Sequence, residues 1–202
     1  IQLYAFSLTK FKGELNIPST VTTIGNEAFA YTEFNGTLVL PEELISLGSS
    51  AFSGCWRLSG VVEIPKNIVA IPSQLFYDCN NIEGIVLHKD VEVIESQAFA
   101  NCFYVSSIVS KAKNAPTIAS DSFSGVAKDN FVVEVPESSV ADYTLAPNWN
   151  EFKRIAAHRE FSINRNLFRT LNAKDSKTLI LRAESGATWS VESHPDWVTV
   201  TP

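Results

Sequence analysis

Thiols, imidazoles and paired carboxylates are the side chains of this sequence with the chemistry to act on a ligand, and four tryptophans could stack on one. The thiols are Cys55, Cys79 and Cys102. A metal cluster needs thiolates that converge, and a disulfide needs facing cysteines with Cα atoms within about 7 Å. Here no Cys-x-x-Cys pair occurs, and the count is odd. Each cysteine also follows a phenylalanine (Phe52, Phe76, Phe99) by three residues, so the three share one column and point in parallel. Thr9 and Thr32 fill the matching slot after Phe6 and Phe29. A small side chain filling a buried slot accounts for the set without any reaction.

The remaining candidates are as sparse. His88-Lys89-Asp90 reads as a solvated turn, and His158 falls in a junction. In His194-Pro195-Asp196 the Asp could orient the imidazole, yet no nucleophile is placed nearby by sequence. Glu42-Glu43 reads as an exposed turn pair. Neither a G-x-S-x-G nor an H-E-x-x-H, Walker-type or G-x-G-x-x-G motif occurs. An enzyme would need a cleft with paired carboxylates or a His–nucleophile pair. The sequence therefore predicts a non-enzyme with no cofactor and no metal site. Asn35-Gly36-Thr37 is formally a glycosylation sequon and also fits an inter-repeat turn. Trp189 and Trp197 suit a β-sandwich core. Trp56, beside Cys55 at a repeat corner, is the tryptophan least explained by packing. With Phe103 and Tyr104 further along, it makes the one candidate aromatic platform for sugar rings.

What must position these residues is an internal repeat. Phe6, Phe29, Phe52, Phe76, Phe99 and Phe123 are spaced 23, 23, 24, 23 and 24 residues apart. Five residues before each lie Ile1, Ile24, Leu47, Ile71, Ile94 and Ile118. Immediately before each lie Ala5, Ala28, Ala51, Leu75, Ala98 and Ser122. Upstream comes a second block: Gly13 to Pro18, Gly36 to Pro41, Gly60 to Pro65 and Gly84 to His88. Its alternating apolar residues, with Gly before and Pro after, predict a short strand. Stretches such as Val21 to Gly25 predict a second one. Each unit is too small to bury its apolar face alone, so the units must stack into a solenoid.

Composition agrees with a packed core, at 45% hydrophobic and 11% aromatic residues. The net charge of -6 is concentrated in residues 1–158, which hold 10 Lys and Arg against 17 Asp and Glu. Such a body repels phosphate backbones, so no nucleic-acid partner is expected. No run of about 18 apolar residues exists, so no transmembrane helix is predicted.

The period lies in the leucine-rich repeat range, and Ile82-x-x-Ile85-x-Leu87 fits the template L-x-x-L-x-L. The template's Asn or Cys position holds Thr20, Glu43, Asn67 and Asp90, so there is no Asn ladder. The pattern I-P-x-x-V-x-x-I-x-x-x-A-F, followed by Ser53-Gly54-Cys55 or Ala100-Asn101-Cys102, resembles the BspA-like leucine-rich repeats of bacterial surface proteins. Another coiled β-solenoid is the alternative architecture. Because Ile1 falls in the Ile24 column, the chain is expected to begin inside a repeat, with an anchoring segment further upstream.

After Phe123 the pattern loosens. Phe131-Val-Val133-Glu-Val135 predicts the last strand. Tyr143, Trp149, Phe152 and Ile155 recur at multiples of three, as in an amphipathic turn closing the stack, with Ser138 and Ser139 as candidate caps. The segment 159–202 has no echo of the repeat, and its short alternating runs predict a β-sandwich. Trp189-Ser-Val191 … Asp196-Trp197-Val-Thr-Val200 is similar to the first half of a BACON domain, an immunoglobulin-like module of Bacteroidetes surface proteins. The expected organisation is thus a β-rich solenoid over 1–135, a cap over 136–158 and a partial immunoglobulin-like sandwich over 159–202.

The resemblance implies a secreted or outer-surface adhesion protein that binds extracellular matrix proteins or other cells, as a monomer. Its contact surface would be the outward strand residues: Glu14, Asn16, Thr37, Val39, Val61, Glu63 and Val86. The alternative is glycan capture at Trp56, Phe103 and Tyr104.

Overall fold

A computed structural model describes residues 1–158 throughout, and of the remainder only the backbone of 162–163 and 181–182. The chain divides into two units, Ile1–His158 and Arg159–Pro202. The first is a β-solenoid of about six coils. Its strands, in chain order, are β1 (Lys12–Glu14), β2 (Thr23–Ile24), β3 (Glu33–Thr37), β4 (Ser46–Leu47), β5 (Leu58–Glu63) and β6 (Ala70–Ile71), then β7 (Ile82–Leu87), β8 (Val93–Ile94), β9 (Ser107–Ser110), β10 (Thr117–Ile118), β11 (Val132–Val135) and β12 (Arg154–Ala157). The odd-numbered strands and β12 form a seven-stranded parallel sheet in the order β1-β3-β5-β7-β9-β11-β12. The two-residue strands form a second parallel wall, β2-β4 and β6-β8-β10.

Between the walls runs the phenylalanine column. Successive rings from Phe6 to Phe123 lie 5.2, 5.2, 5.6, 5.7 and 5.3 Å apart, within 17° of parallel. Burial of each ring is worth roughly 1.5–3 kcal/mol, and stacking adds to it. The inward row of the sheet (Val62, Ile85, Ile108, Val133) is fully buried beside them.

The coils from Phe6 to Phe99 turn sharply around their Phe. The residues two before and two after it take left-handed backbone, as Glu27 and Tyr31, Ser50 and Gly54, Gln74 and Asp78, and Gln97 and Asn101 do at φ of 52 to 69°. Type II turns demand this, and the bonds Ala28 N–H to Gly25 O and Thr32 N–H to Phe29 O close two of them. For non-glycine residues the conformation costs roughly 1–2 kcal/mol each. Hydrogen bonds into the next coil offset it: Glu27, Phe29 and Tyr31 N–H donate to Ser49, Ala51 and Ser53 O at 3.0, 2.8 and 2.7 Å.

Adjacent coils pass close together at Gly48, where a Cβ would lie 2.3 Å from Asn26 N and 2.5 Å from Gly25 C. Backbone cannot retreat as a side chain can. Gly48→Ala is expected to destabilise by about 3 kcal/mol, read as a lower urea midpoint. Ala119→Gly, at the same position three coils on, should change far less. Equal effects would contradict this packing.

Three expectations need correction. Aligning the glycines pairs Gly60 with Gly84, but β5 and β7 pair Gly60 with Ile82 and Val61 with Gly84, bulging past Glu83. The glycines are 24 residues apart and the following Pro65 and His88 only 23, so the odd residue must be absorbed. Gly60, opposite the bulge, has left-handed backbone at φ +77°. Secondly, β11 is not the last strand. Ile155 is not helical but lies in β12, paired with Val133. The turn between them is a 3-10 turn (Glu137–Ser139), helix α1 (Val140–Leu145) and a second 3-10 turn (Trp149–Glu151). Thirdly, neither Ser138 nor Ser139 caps α1 with its side chain. The 3-10 turn runs directly into the helix, and Ser139 instead donates its backbone N–H to Pro136 O at 2.8 Å.

The closing segment still seals the stack. Phe152 meets Phe123 edge-on at 5.4 Å, and Trp149 Nε1 donates to Pro116 O at 2.7 Å. Tyr143 Oη donates to Ala112 O at 3.1 Å and accepts from Ser110 Oγ at 2.7 Å. In the second unit Ser162–Ile163 and Leu181–Arg182 pair antiparallel. The sandwich and BACON-like expectations, with Trp189, Trp197 and His194, otherwise lie outside the described residues. No helix among the described residues is long and apolar enough to cross a membrane.

Candidate functional site

Two surfaces carry the residues singled out by sequence. On the seven-stranded sheet Glu14, Thr37, Val61 and Glu63 are exposed strand residues. Asn16 and Val39 are exposed too, but lie past the ends of β1 and β3. Val86 departs from expectation: flanked in the ladder by Glu63 and Val109, it is half-buried. The pairing carries the outward row on to Val109 and Glu134, and beside it through Gly84, Ser107 and Val132. Sequence reasoning missed these, although β9 and β11 follow the same alternation. Glu134 Oε2 is hydrogen-bonded to His158 Nδ1.

The second surface is a corner. Trp56, Phe103 and Tyr104 are 45, 58 and 67% exposed. They occupy equivalent β-turns, because Leu58, Ile82 and Val105 N–H donate back to Cys55, Cys79 and Cys102 O at 3.1, 3.3 and 3.2 Å. The turn tips are therefore Trp56-Arg57, Asn80-Asn81 and Phe103-Tyr104 in consecutive coils. The Arg57 guanidinium lies 4.4 Å from the Trp56 ring centroid, a cation–π contact that braces the indole. Phe103 folds toward the next coil over Gly125, where a Cβ would come within 3.3 Å of its ring. Arg57, Asn80 and Asn81 belong to this corner, yet no apolar periodicity marks them. Tyr31, exposed and lying over Gly54, was also missed.

The reactive side chains are otherwise engaged. The Cys55, Cys79 and Cys102 thiols are buried, and each donates to a carbonyl of the preceding coil (Phe29, Phe52 and Phe76 O) at 3.0 Å. Thr32 Oγ1 makes the equivalent bond within its own coil, to Phe29 O at 2.9 Å. Burial pushes the thiols up, Cys102 to about 12, so they stay protonated at neutral pH. His88 is held by two partners: Asp90 N–H donates to Nδ1, which leaves Nε2 to donate to Ile68 O at 3.0 Å. Glu43 pairs with Lys66 at 2.9 Å on an exposed ridge. Among the described residues, no group of three or more His, Cys, Asp or Glu is placed to hold a metal ion. Asn35 is exposed on β3, next to Gly36 in left-handed backbone at φ +81°.

The family profile of the BspA type leucine-rich repeat region matches residues 1–128 in six copies. Among solved structures, the chain is similar to a leucine rich cell surface protein from Faecalibacterium prausnitzii A2-165, at 18% identity and a TM-score of 0.33. The match covers 69% of this chain and 52% of that one, so the chain spans about half the length of that structure. No curated protein matches the chain significantly.

Proposed function

The chain belongs to the BspA-type leucine-rich repeat family, and from that premise we propose that it is a non-catalytic binding segment of a secreted or cell-surface protein. Its parallel sheet engages an extracellular protein such as a host matrix component. The observation that supports this reading is the outer side of the sheet and its strand ends, where the apolar Val39 and Val61 and the carboxylates Glu14 and Glu63 are all exposed. Protein interfaces combine apolar and charged side chains in this way. The organisation behind it is a solenoid over 1–135, a cap over 136–158 and a BACON-like spacer over 159–202.

Binding to immobilised fibronectin and fibrinogen tests the proposal. Val61→Arg with Glu63→Arg should weaken the interaction by about tenfold or more, without lowering thermal stability. Retained affinity in that variant would exclude the sheet as the contact surface. A second reading, glycan capture, is supported by a separate observation: the Trp56, Phe103 and Tyr104 rings face solvent instead of packing into the core.

A further inference from the structure

Among the described residues, two buried side-chain polar atoms have no hydrogen-bond partner, Arg57 Nε and Asn80 Oδ1. Both lie at the aromatic corner, at neighbouring turn tips. Native proteins pair almost all such atoms, so orphans at two neighbouring turns point to a further partner. One is a donor and the other an acceptor, and a hydroxyl can serve both. Both residues are half-buried.

The aromatic rings supply the second half of the argument. Trp56 and Phe103 occupy the same turn position two coils apart, with Asn80 between them. Neighbouring parallel strands lie about 4.8 Å apart, so the two turn positions are offset along the solenoid by about 10 Å. That is about the length of two pyranose rings in an extended chain. In an extended β-1,4-linked glycan alternate sugars present opposite faces, so one face recurs at every second sugar. Rings on one side of such a chain must be two sugars apart to meet the same face.

From these observations we infer that the corner binds a linear, uncharged β-linked glycan lying along the solenoid axis. Trp56 and Phe103 stack on every second sugar, and Arg57 and Asn80 pair with the hydroxyls between. The inference rests on the glycan reading above and gives it a site and a ligand class. The platform is rigid before binding, since Arg57 braces Trp56 and Phe103 is seated over Gly125, which limits the ordering cost. Polyanionic glycans are disfavoured by the acidic body, with 17 carboxylates against 10 basic residues over 1–158.

Calorimetric titration of the full chain with cellobiose, cellotetraose, cellohexaose and tetragalacturonate, beside a mixed glycan array, tests it. Cellotetraose should bind about tenfold or more tighter than cellobiose, because only the longer chain reaches both rings. Trp56→Ala and Phe103→Ala should each remove that gain, as should Asn80→Leu, with unchanged melting for the two ring variants. Equal affinity at all lengths, or sensitivity to Trp56→Ala alone, would overturn the two-ring placement while leaving glycan capture intact. Tighter binding of tetragalacturonate would overturn the uncharged ligand class. Array hits indifferent to all three substitutions would overturn the site. An array silent throughout would overturn glycan capture itself, and this inference with it.

Discussion

Phe76→Ala is expected to lower stability by roughly 3–5 kcal/mol, more than any exposed substitution in the chain. Phe76 is fully buried in the middle of the column, 5.6 Å from Phe52 and 5.7 Å from Phe99. Truncation removes the transfer free energy of a phenyl ring and leaves a cavity that stacked coils cannot close, because their spacing is fixed by backbone hydrogen bonds on both sides. Phe76 N–H, for example, donates to Ala98 O at 2.8 Å. A solenoid is also nearly one-dimensional, so a weakened central coil uncouples the coils on either side. Thermal melting should drop by roughly 6–20 °C, whereas Phe103→Ala, at an exposed ring, should stay within about 0.5 kcal/mol of wild type. A barely shifted midpoint for Phe76→Ala would remove the column from the core.

Alkaline pH should unfold the protein through the cysteine column. Burial holds Cys102 at about 12 against an ordinary 9.0, keeps Cys79 well above 9.0 and raises Cys55 as well. The folded chain therefore keeps thiol protons that the unfolded chain releases. Stability is complete below about pH 9 and falls as pH rises toward 12, because there the unfolded state binds fewer protons. Each such group withdraws at most about 1.4 kcal/mol per pH unit in that window. Tyr143, also raised to about 12 by its burial, adds to the loss from about pH 10 upward. Urea denaturation at pH 7, 9 and 10.5 should show the decline. Replacing all three cysteines by Thr, which already fills this slot at Thr32 and bonds Phe29 O, should make the decline shallower. A slope unchanged in that variant would place the alkaline loss elsewhere.

The solenoid was legible because its core is periodic in sequence as well as in space. The Phe, Ile and Ala columns recur every 23 or 24 residues because each fills the same slot in successive coils. The slot after Phe admits Thr or Cys because both are small and both donate to a Phe carbonyl. Legibility failed where one residue is absorbed without changing the pattern. Glu83 is bulged out of the β5–β7 pairing, and no residue type at Glu83 announces that. It failed again at Ile155, whose threefold spacing from Phe152 suits a helix, although β11 offers an unpaired parallel edge that a strand fills better. At the corner Trp56, Phe103 and Tyr104 stood out because large rings outside the core pattern need explaining. Arg57 and Asn80 did not, because their meaning lies in unpaired atoms, and only coordinates reveal those.

The central claim is that this chain binds rather than reacts, through a surface its coils hold rigid. The most direct measurement is a screen of the full chain against a glycan array and a panel of matrix proteins. Wild type is run in parallel with the Val61→Arg, Glu63→Arg double variant and with Trp56→Ala. The account predicts at least one ligand held by wild type and lost in one of the two variants. Silence on both arrays, or hits unchanged in both variants, would contradict it.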